Sequence, residues 1–159
     1  MRYILLALGI LAADQLSKWF VMSRMVQSES IPVIEPVFYI TYIMNPGAAF
    51  GMLAYKTVFF VAVTVVVVLG IIFFARQIPA GKVLLKTGLA FQVGGAVGNL
   101  IDRLRFGHVV DFFDFRVWPV FNIADIGIVI GVGILLLELL QGDREKQKQV
   151  GSTGDSQRT

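Results

Sequence analysis

The sequence predicts an all-α membrane protein with four transmembrane helices, a small β-sheet at one membrane face and a short interfacial helix. Of its 159 residues, 56% are hydrophobic and only 16% are charged, and the mean hydropathy is +0.74. A soluble domain of this length could not bury so much apolar surface. Two segments between the apolar stretches are instead rich in β-branched and aromatic residues, which favour strands.

Four apolar stretches each approach the roughly 20 residues that a membrane span needs. They cover residues 3–26, 58–75, 83–104 and 117–140. The first stretch runs well beyond the apolar core of a secretory signal peptide, and three more stretches follow it. We therefore interpret it as a retained helix, with a cleaved signal peptide as the alternative.

The distribution of Lys and Arg predicts that both termini lie in the cytoplasm. Short cytoplasmic loops carry an excess of these residues. Near the membrane, the two chain ends (Arg2, Arg144, Lys146 and Lys148) and the link between the second and third stretches together hold seven of them, against five in the other two loops. Residues 1–141 are then the membrane domain, and the polar residues 142–159 are expected to form a disordered cytoplasmic tail.

The two outward-facing loops contain more than simple connections. Residues 37–43 are expected to hold one or two short strands, and residues 109–117 another. The two segments are expected to pair into a small sheet, because an isolated two-stranded ribbon is only marginally stable. The segment NPGAAFGML, which begins at Asn45, is typical of a turn that leads into a short amphipathic helix along the membrane interface.

The composition excludes several kinds of site. The chain has no cysteine and one histidine, so disulfides, a cysteine nucleophile and a multi-histidine metal cage are ruled out. The net charge of +3 comes without a basic patch interleaved with aromatic residues. This argues against nucleic acid as a partner.

Polar residues within the apolar stretches gather toward their outward ends. Asp14 and Lys18 lie one helical turn apart, so they can form an ion pair with either a structural or a functional role. Asp111 and Asp114 lie three residues apart in a predicted strand and therefore point to opposite faces. At most one of these two is expected to face a site.

Of these acidic residues, Asp125 is the one for which a purely structural role is the weakest explanation. A central aspartate in a spanning helix costs roughly 2.5–3.5 kcal/mol on insertion scales. Asn122 lies on the same helix face, and Asp111 lies in the loop that folds back over the same helix end. Two carboxylates meeting there would share a proton, with one pKa raised and the other group ionised. Such a pair can deprotonate a water and protonate a leaving amine, as in aspartic proteases.

Five sequence blocks resemble the lipoprotein signal peptidases (signal peptidase II), a family of bacterial inner-membrane aspartyl peptidases. One block alone would be weak evidence, but their order and spacing agree with the family over residues 1–140. The blocks are DQLSK at 14–18, NPGAAFG at 45–51, GGAVGNLIDR at 94–103, GHVVDF at 107–112 and FNIAD at 121–125.

This resemblance implies four transmembrane helices, a small extracytoplasmic β-cradle and a short interfacial helix, with Asp111 and Asp125 as the catalytic dyad. Asp102 would be structural. The residues implied to support the site or bind substrate are Asp14, Lys18, Asn45, Gly47, Asn99, Arg103 and Asn122.

The family resemblance also implies the substrate and the location. The substrate would be a prolipoprotein carrying a diacylglyceryl cysteine, cleaved just before that cysteine. The enzyme would be a multi-pass monomer in contact with lipid in the bacterial cytoplasmic (inner) membrane, with its active site toward the outer face. No metal or organic cofactor is expected.

A proton- or ion-coupled small membrane transporter is the main alternative, because intramembrane acids also serve as proton relays. Against it, the polar residues cluster at one membrane face, and the sequence shows no inverted repeat. A non-catalytic membrane scaffold would explain the small-xxx-small glycine pairs Gly94/Gly98 and Gly127/Gly131 of the third and fourth stretches, but not two acids at one helix end.

Overall fold

The computed structural model describes residues 1–47 and 56–155, with side chains described up to residue 141. Within these residues there are four helices and one small sheet, in agreement with that part of the sequence prediction. The predicted interfacial helix falls mainly on residues 48–53, which lie outside the described residues. The elements in chain order are α1 (Arg2–Arg24), β1 (Ser30–Ile34), β2 (Phe38–Asn45), α2 (Thr57–Ala75), α3 (Val83–Phe106), β3 (Val109–Asp114) and α4 (Ile123–Asp155).

Within the described residues, three helices are long and apolar enough to cross a membrane. They are α1, α2 and the first part of α4, Ile123–Gln141, with mean hydropathies of 1.5, 3.1 and 2.4. α3 is not among the three, because glycines and polar side chains dilute its apolar residues. A membrane-spanning role for α3 therefore stays a prediction.

α3 lies at the centre of the bundle, where it packs against α1, α2 and α4. Glycines allow the helix backbones to come close together. A Cβ atom at Gly94 would lie 2.7 Å from the carbonyl oxygen of Ala7 on α1, and one at Gly131 would lie 2.7 Å from that of Gly88. The small-xxx-small pairs of the third and fourth stretches thus serve close helix packing.

The sheet contains three antiparallel strands in the order β1-β2-β3. The predicted pairing of the two outer segments is confirmed by β2 and β3, although β3 ends at Asp114 rather than at residue 117. β1 lies before the predicted strands. It accommodates Pro32 because it is an edge strand, where a missing N–H donor is tolerated.

A cluster of buried side chains fastens the sheet to the end of α1. It consists of Val21 from α1, Met25 directly after α1, Tyr42 from β2, and Val110 and Phe112 from β3. The residue between the last two is Asp111, so packing on both sides fixes its position above the helices.

The chain turns sharply between α3 and β3. α3 ends at Phe106 and is capped by Gly107, whose φ of +75° lies in the left-handed region that glycine adopts without strain. β3 begins two residues later and returns over the end of α3 toward the start of α4. This turn brings the polar ends of α3, β3 and α4 together.

α4 continues past the last apolar stretch to Asp155. The division at residue 142 between a membrane domain and a polar tail stays a prediction. Extending a formed helix costs little, because each added residue adds a hydrogen bond to an existing nucleus. The segment DREKQKQ that follows Gly142 is also rich in helix-favouring residues.

Candidate active site

The first turn of α4 is closed by two reciprocal hydrogen bonds between Asn122 and Asp125. The backbone N–H of Asp125 donates to Oδ1 of Asn122 (2.9 Å), and the backbone N–H of Asn122 donates to Oδ2 of Asp125 (3.2 Å). This is a capping box with Asn122 as the N-cap. A carboxylate at this helix end is also stabilised by the helix macrodipole. The capping box therefore explains in part why a spanning helix carries Asp125 in its first turn.

Asp14 on α1 satisfies a further donor of the same turn. The backbone N–H of Ala124 donates to Oδ1 of Asp14 at 2.9 Å. Asp14 is fully buried and forms the predicted ion pair with Lys18, at 2.9 Å. Lys18 is buried as well and forms a second ion pair with Asp102 on α3, at 2.8 Å. One ammonium thus balances two carboxylates.

Lys18 connects this ion-pair network to Asp125 through Asn99. The ammonium donates to Oδ1 of Asn99 at 2.9 Å, and Nδ2 of Asn99 donates to Oδ1 of Asp125 at 2.8 Å. An ammonium can only donate hydrogen bonds, so it orients the Asn99 amide with its oxygen toward Lys18. The NH₂ group of Asn99 is then directed at Asp125.

Asn122 joins the two acids that the sequence singles out. Its Nδ2 donates to Oδ1 of Asp111 at 2.6 Å, while its backbone donates to Asp125. The other oxygen of Asp111, Oδ2, accepts from Nδ2 of Asn45 at 2.8 Å. Every carboxylate oxygen of Asp111 and Asp125 therefore accepts a hydrogen bond from an N–H group, and one buried asparagine holds both acids.

Arg103 and Gly47 lie beside the two acids. The guanidinium of Arg103 donates to the carbonyl oxygen of Gly47 (3.3 Å) and lies over the ring of Phe60, 4.8 Å from its centroid. It also interacts electrostatically with Asp125 and Asp111. A fixed positive charge is thus placed next to the acids.

Asp111 and Asp125 line the same pocket, whose volume is about 260 Å³. Asn122 is fully buried behind the acids and is not part of the lining. Val129 on α4 also lines the pocket and is 70% exposed, so the pocket opens on the exposed apolar side of α4. The other polar lining side chains are Asn45, Asn99 and Arg103.

The surroundings of Asp111 change its proton affinity. Burial, and then the negative charge of Asp125, raise the pKa of Asp111 to about 7. Hydrogen bonds from Asn45 and Asn122 oppose the rise, because they stabilise the ionised carboxylate. A carboxyl group whose pKa lies near neutral pH can both hold and release a proton under physiological conditions.

Two other polar residues clarify the limits of the site. Gln15, to which the sequence assigns no role, donates from its amide to Asp14 and Asp102, at 3.1 Å in both cases. Its position next to Asp14 in an apolar stretch was the available signal. Asp114 accepts from the hydroxyl of Thr41 at 2.7 Å, away from the pocket. Asp111 thus lines the pocket and Asp114 does not, in agreement with the prediction that they point to opposite faces of the strand.

The chain matches the family model described as signal peptidase (SPase) II over residues 6–141. It belongs to the signal peptidase II family. The lipoprotein signal peptidase of Moorella thermoacetica is 56% identical over 140 residues, which are 88% of this chain and 93% of the relative. That of Bacillus subtilis is 42% identical over 153 residues, 94% of this chain and 99% of the relative.

Two solved structures, each described as a bacterial membrane enzyme, have a similar fold. One superposes with a TM-score of 0.87 at 32% identity and covers 91% of both chains. The other has a TM-score of 0.80 at 33% identity, covering 87% of this chain and 92% of the other. The helices and small sheet described above are therefore a fold shared with membrane enzymes.

Proposed function

We propose that this protein is an aspartyl endopeptidase that removes signal peptides from diacylglyceryl-modified prolipoproteins, with Asp111 and Asp125 as its catalytic pair. Family membership makes it a protease that processes prolipoproteins. The observation that carries the residue assignment is that both carboxylates line one pocket and are joined through Asn122. The transporter alternative receives no support from the relatives, which are named lipoprotein signal peptidases.

In this proposal the two acids share one proton during the reaction. We assign Asp111, whose pKa is about 7, as the protonated member and Asp125 as the ionised member. Asp125 takes a proton from a water held between the two groups, and that water attacks the scissile carbonyl carbon. Asp111 donates its proton to the leaving amine. The amide donors around the acids keep the two carboxyl groups in position as the proton moves.

Arg103, Asn45 and Gly47 are proposed to receive the substrate backbone. A peptide segment that leaves its helix exposes N–H and C=O groups, which are costly to leave unpaired in hydrocarbon. The guanidinium of Arg103 can donate to an exposed carbonyl oxygen, and the carbonyl oxygen of Gly47 can accept from an exposed N–H. Asn99 and Asn122 already bond to the acids, so we assign them to positioning the catalytic pair.

We also propose that α3 crosses the membrane, which gives four spans with both termini in the cytoplasm of a bacterial inner membrane. Its 24 residues rise about 36 Å, enough for a hydrocarbon core of roughly 30 Å. Its polar side chains face the surrounding helices rather than lipid, as the buried Asn99 and Asp102 illustrate. The pocket then lies toward the outer face, and one chain supplies every group of the site.

The topology can be tested with single cysteines, because the chain has none of its own. Gly81→Cys precedes α3 and His108→Cys follows it. In intact cells a membrane-impermeant maleimide should label position 108 but not position 81 until the cells are lysed. Labelling of both positions from outside would contradict the proposed orientation and the span.

The catalytic assignment can be tested with a purified protein and a synthetic precursor peptide that carries a diacylglyceryl cysteine. Asp111→Asn and Asp125→Asn each keep the shape of the side chain but remove the ionisable group. Each should lower kcat by about a thousandfold or more, since general acid–base groups contribute roughly 10²–10⁴. Cleavage by the wild type should fall just before the lipidated cysteine and should be unaffected by a chelator.

Asp114→Asn is the matched control, because Asp114 is a buried aspartate of the same strand that lies outside the pocket. It should retain cleavage within about twofold. Near wild-type cleavage by either Asp111→Asn or Asp125→Asn would refute the catalytic pair, whereas inhibition by a chelator would indicate a metal enzyme.

A further inference from the structure

A second and larger cavity lies at the opposite end of the bundle from the two acids. It is a groove of about 550 Å³ between the first half of α1, the end of α2 and the first half of α3. Its volume falls within the roughly 300–1,000 Å³ of sites that hold small molecules. None of the groups assigned to cleavage lines this groove.

The groove is apolar and open to the surroundings of the bundle. Aliphatic side chains of all three helices form its walls, including Val93 and Val97 of α3. Three other lining residues remain accessible: Ile4 is 65% exposed, Leu8 53% and Ile72 41%. In a membrane protein such a surface is in contact with lipid chains, so the groove can admit a chain from the side.

Two cations line the same groove at its polar end. Arg76 caps the end of α2, and Lys86 lies in the first turn of α3. In the part of the chain that the structure describes, neither side chain has an ion-pair partner, and no described lining residue is acidic. By contrast Lys82, on the same side of the bundle, pairs with Glu138 at 2.8 Å.

We propose that this groove binds an anionic phospholipid, with an acyl chain between α1, α2 and α3 and the phosphate on Arg76 and Lys86. Charge-assisted hydrogen bonds from Lys and Arg are strong phosphate contacts. In the proposed orientation the site faces the cytoplasmic leaflet, where anionic headgroups are attracted to basic residues near the membrane surface. The signal helix of a substrate fits less well, because its positively charged n-region would be repelled by the same two cations.

The proposal can be tested with delipidated, purified full-length protein in a neutral detergent. The probes are dioleoylphosphatidylglycerol and dioleoylphosphatidylcholine, and native mass spectrometry gives the bound fraction and the Kd. The anionic lipid should bind the wild type more tightly. Arg76→Gln/Lys86→Gln should weaken its binding about thirtyfold, from the expected contribution of two basic residues near a headgroup, and should leave binding of the zwitterionic lipid nearly unchanged.

Two matched controls separate the groove from general lipid contact. Arg105→Gln removes a charge from the opposite end of α3 and should not change the Kd for phosphatidylglycerol by more than about twofold. Val93→Phe fills the groove and should abolish retention of this lipid. Val66→Phe makes the same change at a position on α2 that is 69% exposed and outside the groove, and it should have no effect.

Several results would overturn the proposal. Equal Kd values for the two lipids, or an equal effect of Arg105→Gln, would mean general contact with lipid. Competition by inorganic phosphate, with no contribution from the acyl chain, would mean a simple anion site. Competition by a precursor peptide would assign the groove to substrate, and dispersal of a dimer by Val93→Phe would assign it to a second copy.

The outcome is independent of the proposed chemistry. Asp125→Asn should bind phosphatidylglycerol as the wild type does, even though it should not cleave. Failure of lipid binding with intact cleavage would therefore reject the groove proposal alone. Near wild-type cleavage by Asp111→Asn or Asp125→Asn would reject the catalytic pair and would leave the groove proposal standing.

Discussion

The ammonium of Lys18 lies 2.9 Å from the amide oxygen of Asn99, and this bond determines which end of the amide faces Asp125. Were the amide reversed, its oxygen would face a carboxylate and its NH₂ group an ammonium. Both contacts would then be repulsive. A lysine that is remote from the reacting atoms thus sets the hydrogen bonding of one of the two acids.

Lys18→Met is expected to destabilise the protein strongly. It preserves most of the side-chain volume but leaves Asp14 and Asp102 buried without a counter-charge. Removing one partner of a buried ion pair costs about 3–5 kcal/mol, so the unfolding free energy in detergent micelles should fall by that order. Lys82→Met is the matched control, since its ion pair with Glu138 is half-exposed and should contribute about 1 kcal/mol or less. Equal losses for the two variants would contradict the role given to the network.

Asn122→Ala should lower kcat more than it raises KM, because Asn122 positions both acids but does not line the pocket. We expect kcat to fall by about a hundredfold, which is less than for Asp111→Asn. This is the effect expected when catalytic groups are displaced by about 1 Å. The variant also removes a hydrogen bond that stabilises ionised Asp111, so the pKa of Asp111 should rise further. The pH profile of kcat should then shift upward. An unchanged profile with reduced stability alone would indicate a purely structural role.

The stability of the protein should depend on pH through Asp111. Its pKa is about 7 in the folded state, against an ordinary value of 3.8. At any pH between these two values, the folded state therefore holds a proton that the unfolded state has released. The stability that Asp111 contributes therefore decreases as pH rises from about 4 to 7 and is constant above that range. Asp111→Asn cannot ionise, so the difference in unfolding free energy between wild type and variant should follow this course. A difference that does not change between pH 4 and 7 would show that the pKa is unperturbed.

Gly95→Ala should disturb the bundle near the site. A Cβ atom at this position would collide with the carbonyl oxygen of Ala124 in the first turn of α4. Overpacking of this kind costs about 1–3 kcal/mol, and the shift of α4 should also reduce cleavage. Gly133→Ala is the control, because nothing lies within 4 Å of a Cβ atom there. It should leave the melting temperature unchanged or slightly higher, and a comparable loss in both variants would argue against the close approach of α3 and α4.

Much of the fold could be predicted because its signals are local. Runs of apolar residues indicate the helices, and β-branched and aromatic segments indicate β2 and β3. β1 was missed because Pro32 obscures a strand that tolerates it only through its edge position, which depends on the neighbouring strand.

Less of the site could be predicted, because its contacts join residues that are distant in sequence. The capping box of Asn122 and Asp125 spans three residues and could have been found from the sequence alone. The bonds of Gln15 to Asp102, and of Lys18 to Asn99, connect α1 with α3 across more than 80 residues. No local pattern specifies such pairs, so Asp102 and Gln15 were assigned a minor role or none.

The hydrogen bond from Ala124 to Asp14 has a consequence for biosynthesis. Asp14 leaves the ribosome well before the first turn of α4, because Ala124 follows it by 110 residues. Until α4 has been translated and inserted, the aspartate in α1 lacks one of its partners. Chains truncated before α4 should therefore retain an Asp14 carboxylate that lacks this hydrogen bond, and the two ends of the fold are completed only together.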